Sequence, residues 1–65
     1  MIKAVIRCQN NMVMVFDKEG EQIPEYQGQY GEVKEKILKD ASSSAVFCHL
    51  PDYKTELEIV PREEW

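Results

Sequence analysis

The chain has 65 residues, 43% apolar and 31% charged, with 8 basic against 12 acidic side chains and a net charge of -4. That length holds one small domain and not two; folding hides only about 60% of the surface of so short a chain, so dimerisation would ease a core near the lower limit of independent folding. The acid excess weighs against a phosphate-backbone partner and against a surface-bound membrane helix, which carries a basic polar face. The longest apolar run, Met12 to Phe16, falls far short of the roughly 20 residues of a membrane-spanning helix.

From Ile2 to Cys8 the even positions Ile2, Ala4, Ile6 and Cys8 are apolar, while Lys3, Arg7 and Gln9 fall on the odd side with Val5. A period of two predicts a strand. Lys3 and Arg7 break up any signal-peptide apolar region, so a cytoplasmic location is expected. In a reducing compartment Cys8 and Cys48 are expected to be free thiols among core residues. Asn10-Asn11 tolerates positive φ between two β-prone runs and predicts a hairpin into a second strand, Met12 to Phe16, apolar at every position. A two-residue loop sets Cys8 opposite Val13 and Ile6 opposite Val15, and gathers Met12, Met14 and Phe16 with Val5 and Arg7. One more loop residue swaps these sets, and both registers remain open. Either way the hairpin has a core face and an unusually apolar second face that needs a cover.

Asp17-Lys18-Glu19-Gly20 reads as a type I turn closed by a left-handed glycine. A short third strand is expected at Glu21 to Ile23, ended by Pro24, with Tyr26 in the following connector packed over a sheet edge. Gln29 to Ala41 places Tyr30, Val33, Ile37 and Ala41 on one stripe, with Leu38 beside it, which predicts a core-facing helix. Glu32 and Glu35 precede Lys36 and Lys39 by four, and Gly28 and Gln29 make a weak start where Ser, Thr, Asp or Asn is preferred. A buried strand, Ala45 to Leu50, sends Val46, Cys48 and Leu50 one way and Ala45, Phe47 and His49 the other. A turn over Pro51 to Lys54 and an edge strand from Thr55 to Val60 follow, with Leu57 and Ile59 inward and Glu56 and Glu58 outward. The segment 61–65 forms a short tail.

The order β-β-(β)-α-β-(β) predicts an α+β two-layer sandwich: an antiparallel sheet of three to five strands with one helix on one face, in a single domain over residues 1–65. The other face must meet solvent, the C-terminal segment or a second molecule, and function is expected to enter there.

Chemistry is sparse. His49, the sole histidine, follows Cys48, but neighbours on a strand point to opposite faces and cannot share a proton. Cys8, Cys48 and His49 lack the paired spacing of a structural zinc site. Gly20, Gly28 and Gly31 lack the strand-to-helix context of a phosphate loop. No catalytic, cofactor-binding or metal-binding residue is assigned, and no enzyme is expected. Residues 1–16 sum to +2 and the remainder to -6; two basic groups are too few for a nucleic-acid footprint, so no direct nucleic-acid partner is expected. Trp65 is a large aromatic that is entropically wasteful unless bound, either folded back over Met12, Met14 or Phe16 or docked in a partner's pocket.

The opening Met1 to Asn10, the Val15-Phe16-Asp17 turn entry and the ending Pro61-Arg62-Glu63-Glu64-Trp65 resemble short uncharacterised proteins encoded on phages and mobile elements of Gram-positive bacteria. That resemblance carries no activity and no site residue; it implies an accessory binder. The expected function is therefore a non-enzymatic accessory protein acting by protein–protein contact, with a protein partner or a second copy of itself. Val5, Met12, Met14, Phe16 and Trp65 are the candidate surface. The alternative is an acidic inhibitor of a nucleic-acid-processing enzyme, with Glu56, Glu58, Glu63 and Glu64 imitating a phosphate row.

Overall fold

A computed structural model describes residues 1–51 and 56–65 of the chain. The hairpin between β1 (Ile2–Cys8) and β2 (Met12–Asp17) takes the longer of the two loops. Asn11 adopts φ 67° and its amide donates to the Cys8 carbonyl, so Gln9 to Asn11 form a three-residue reversal with the left-handed residue last. The register follows: Val5 faces Val15, Ile6 faces Met14 and Arg7 faces Val13. Val5, Val13 and Val15 therefore share the buried side, and Ile6 shares the other with Met14. The pairing slips between Ile2 and Ala4. This bulge turns Ile2 to the buried side with Val5, out of phase with the other even positions.

At the next turn the Asp17 carboxylate accepts the amides of Glu19 and Glu21, and Gly20 at φ 83° donates to the Asp17 carbonyl. The expected third strand at Glu21 to Ile23 shrinks to a single bridge between Gln22 and Phe16, because Pro24 immediately starts a 3-10 turn, Pro24–Tyr26. The strand proper, β3 (Gly28–Gln29), comes later and pairs with Met12 and Val13. Between these two pairings the Gln27 side chain stands in for a strand. Its amide oxygen accepts the Val15 N–H, and its nitrogen donates to the Val15 and Ile23 carbonyls.

Helix α1 (Tyr30–Asp40) begins at once, with no side-chain cap from Gln29; the Tyr30 amide donates instead to the Asn11 carbonyl at 2.8 Å. Its stripe falls as the spacing predicts: Val33, Ile37 and the following Ala41 are buried, with Tyr30 and Leu38 packed beside them. Arg62 closes the far end, donating to the Leu38 carbonyl of the last turn and to the Ala41 and Ser42 carbonyls just beyond it. The chain then enters β4 (Val46–Leu50) alongside β1, and β5 (Glu58–Val60) pairs with β4.

The sheet order is β3-β2-β1-β4-β5. It is mixed rather than wholly antiparallel, since β4 runs parallel to β1 after the helical crossover. Of the expected turn over Pro51 to Lys54, residues 52–54 lie outside the described residues, as does the expected strand residue Thr55. The edge strand is shifted by one position from the alternation expected of it: Val60 faces Phe47 and joins the core, whereas Ile59 faces Cys48 and is 76% exposed, and Leu57 precedes the strand in solvent. Residues 61–65 do not trail away. They form a 3-10 turn, Arg62–Glu64, that delivers Trp65 into the core at 3% exposure.

Tyr26 ties the connector to the helix: its hydroxyl donates to the Asp40 carboxylate at 2.6 Å. That hydrogen bond, then burial, then the negative charges of Asp40 and Glu25 push its phenol up to about 12 from 10.0. The folded protein keeps the proton longer than the unfolded chain, so the stabilisation is complete below pH 10 and is lost as pH rises from about 10 to 12. Asp40→Asn is expected to return the Tyr26 titration toward the ordinary phenol range, followed by tyrosinate absorbance with Tyr26→Phe to assign it. An unmoved titration in Asp40→Asn would refute the coupling.

Candidate functional site

The register sorts the sheet into two unlike faces. The helix side is closed: Val5, Val13, Val15, Phe47, Val33 and Ile37 pack together, and Trp65 sits among them with Phe47 and Tyr30 edge-on, each ring centroid 5.1 Å away. Arg7 locks this arrangement, with its guanidinium 3.6 Å over the Tyr30 ring, one nitrogen donating to the Trp65 carbonyl and two to the Asn11 side-chain oxygen. The Trp65 indole N–H is buried without a partner among the described residues. The stacking and the burial of so large a side chain outweigh that loss.

Among the described residues the opposite face carries no helix. Three rows of side chains cross it, set by strand alternation from the observed pairings. Phe16, Ala4 and Val46 form the first row, and Gln22 flanks Phe16 at the edge. Met14, Ile6, Cys48 and Ile59 form the central row. Met12, Cys8 and Leu50 form the third, and the Gln29 amide reaches the Met12 sulfur. None of the three rows contains a charged residue. Most of these side chains are half-buried by their neighbours alone; Met12 is 38% exposed and only Cys48 is buried. Along the third row the surface dips into an open hollow of about 470 Å³ between Met12, Met14, Cys8 and Leu50, with the amides of Gln22 and Gln27 at its rim.

Of the five side chains expected to form a contact surface, Met12, Met14 and Phe16 lie together on this face. Val5 and Trp65 do not. The three-residue hairpin loop turns Val5, 0% exposed, to the helix side, and the aromatic cleft between Phe47 and Tyr30 takes up Trp65. Ile6, Cys8, Leu50 and Ile59 take their places. The longer loop is the signal that assigns Ile6 and Cys8, and the neighbouring β4 alternation assigns Leu50.

Cys48 and His49 point to opposite faces, as adjacent strand residues must. Burial pushes the Cys48 thiol up, which keeps it protonated and poorly nucleophilic. Cys8 and Cys48 are free thiols. On the helix side, at the ends of the strands, Arg7, His49 and Glu58 sit at successive paired positions around a shallow depression of about 280 Å³. There the guanidinium is already engaged by Asn11, Tyr30 and the Trp65 carbonyl. Of the four glutamates in the expected acidic row, Glu58 alone lies in a strand; Glu63 and Glu64 belong to the 3-10 turn. Among the described residues no helix is long and apolar enough to cross a membrane.

No protein-family model matches the chain, and neither the curated proteins nor the solved structures contain a match to it.

Proposed function

We propose that the protein is a non-enzymatic accessory module that works by protein–protein contact through the helix-free face of its sheet. One observation carries this reading: three rows of apolar side chains without a charge stand open opposite a face that is already sealed. Burial of such a surface is worth about 25 cal/mol per Å², and a monomer forgoes that gain. The mobile-element resemblance of the two chain ends agrees with an accessory role.

The test is capture of partner proteins by the wild type and by Met14→Lys at low and high salt. Apolar docking predicts capture that survives high salt and is lost in Met14→Lys. An acidic inhibitor of a nucleic-acid enzyme would behave in the opposite way, releasing its target at high salt and ignoring Met14→Lys while responding to Glu→Gln changes at positions 56, 58, 63 and 64.

A further inference from the structure

We propose that the open face is covered by a second copy of this chain, in a two-fold dimer whose axis runs along the central row Met14–Ile6–Cys48–Ile59. This rests on the contact-making role of that face and names its occupant.

The first ground is self-complementarity. Phe16, the bulkiest side chain on the face, stands half-buried at one end of strand β2, and the hollow lined by Met12 and Met14 runs from the middle of that strand toward its other end. A two-fold axis through the central row reverses the strand direction. It lays Phe16 of one copy over Met12 and the hollow of the other, twice by symmetry. An aromatic ring against a thioether is a favourable contact in its own right. An axis along the strands would instead set β2 over β4 and leave both hollows empty.

The second ground is charge. Among the described residues the three rows offer no charge to a charged docking surface, whereas an uncharged face meets its own image without desolvating an ion. The -4 of each copy is carried elsewhere. It opposes association only at a distance, so added salt should tighten the dimer.

Area is the third. With strands about 4.8 Å apart and residues rising about 3.3 Å, the three rows span on the order of 20 Å by 20 Å, in keeping with a molecule of 28 × 23 × 21 Å. Two such faces bury on the order of 800 Å² in total, below the roughly 1,200 Å² at which stable specific interfaces begin and in the range of weak, transient ones. This predicts a reversible dimer rather than an obligate one.

Sedimentation equilibrium of the full chain is expected to give a monomer–dimer equilibrium, twice 7.6 kDa at the upper limit, that shifts toward dimer as salt is raised. Ile59→Lys changes a side chain that is 76% exposed in the single chain. It places two lysines face to face on the axis and is expected to weaken the dimer at least about tenfold with an unchanged circular dichroism spectrum. Met14→Lys should do the same from the other end of the row. Mixed labelled and unlabelled copies should give intermolecular nuclear Overhauser effects between the Phe16 ring and the Met12 methyl group. A dimer indifferent to both lysines, or one joining Phe16 to Val46, would overturn the proposal. So would a monomer at every concentration. In that last case paramagnetic exposure of the Met14 methyl separates the outcomes: an accessible methyl leaves the contact role standing, and a shielded one removes that role too.

Discussion

Trp65→Ala is expected to leave the protein largely unfolded at room temperature. Trp65 is 3% exposed; its indole is held by Phe47 and Tyr30, and its backbone carbonyl by Arg7. Truncating a buried tryptophan costs about 3–5 kcal/mol. A single core in a domain of this length rarely supplies more than about 3–5 kcal/mol, so the loss takes most of it. Arg7 would also lose the chain segment it clamps. Urea unfolding followed by far-ultraviolet circular dichroism measures this directly, and Trp65→Phe, which keeps an aromatic ring between Phe47 and Tyr30, should lose markedly less. A Trp65→Ala protein with the wild-type midpoint would show that the segment 61–65 is not part of the core.

Val5→Lys and Met14→Lys are expected to differ sharply although both fall in the same hairpin. Val5 is 0% exposed, faces Val15, and packs under the helix. A lysine there must bury an unpaired ammonium, at a cost of several kcal/mol, or abandon the core, and no folded protein should be recovered. Met14 is half-buried on the open side. A lysine in its place lays its stem along Ile6 and lifts its charge into water, at a cost on the order of 1 kcal/mol. Chemical-shift dispersion and thermal unfolding of the two proteins report the difference, and the reverse order, a folded Val5→Lys beside an unfolded Met14→Lys, would mean that the faces have been assigned the wrong way round.

The sequence carries much of this architecture. The stripe of Tyr30, Val33, Ile37 and Ala41 defines the helix because each side chain at that spacing must meet the sheet, and the alternation of Phe47 against Cys48 orients β4. The hairpin register was not readable. Asn10-Asn11 suits two loop lengths, and the choice between them moves Val5 from one face to the other. The bulge beside Lys3, which returns Ile2 to the core, has no local signature in Ile2-Lys3-Ala4. Nor does the role of Gln27, whose amide completes an edge that Pro24 interrupts, since any glutamine looks alike in sequence. The candidate face was thus legible as a place, through Met12, Met14 and Phe16. Its β1 members, Ile6 and Cys8 in place of Val5, depended on the three-residue loop that the left-handed Asn11 closes, and Ile59 on the register of β5.

The most direct measurement is the relaxation of side-chain methyl groups by a neutral paramagnetic solute, made on the Ile59→Lys protein so that self-association does not intervene. The methyls of Met12, Met14 and Ile6 are expected to relax strongly while those of Val5, Val15 and Ile37 stay protected. Equal protection of the two sets would contradict an open apolar face, and with it the contact-making role.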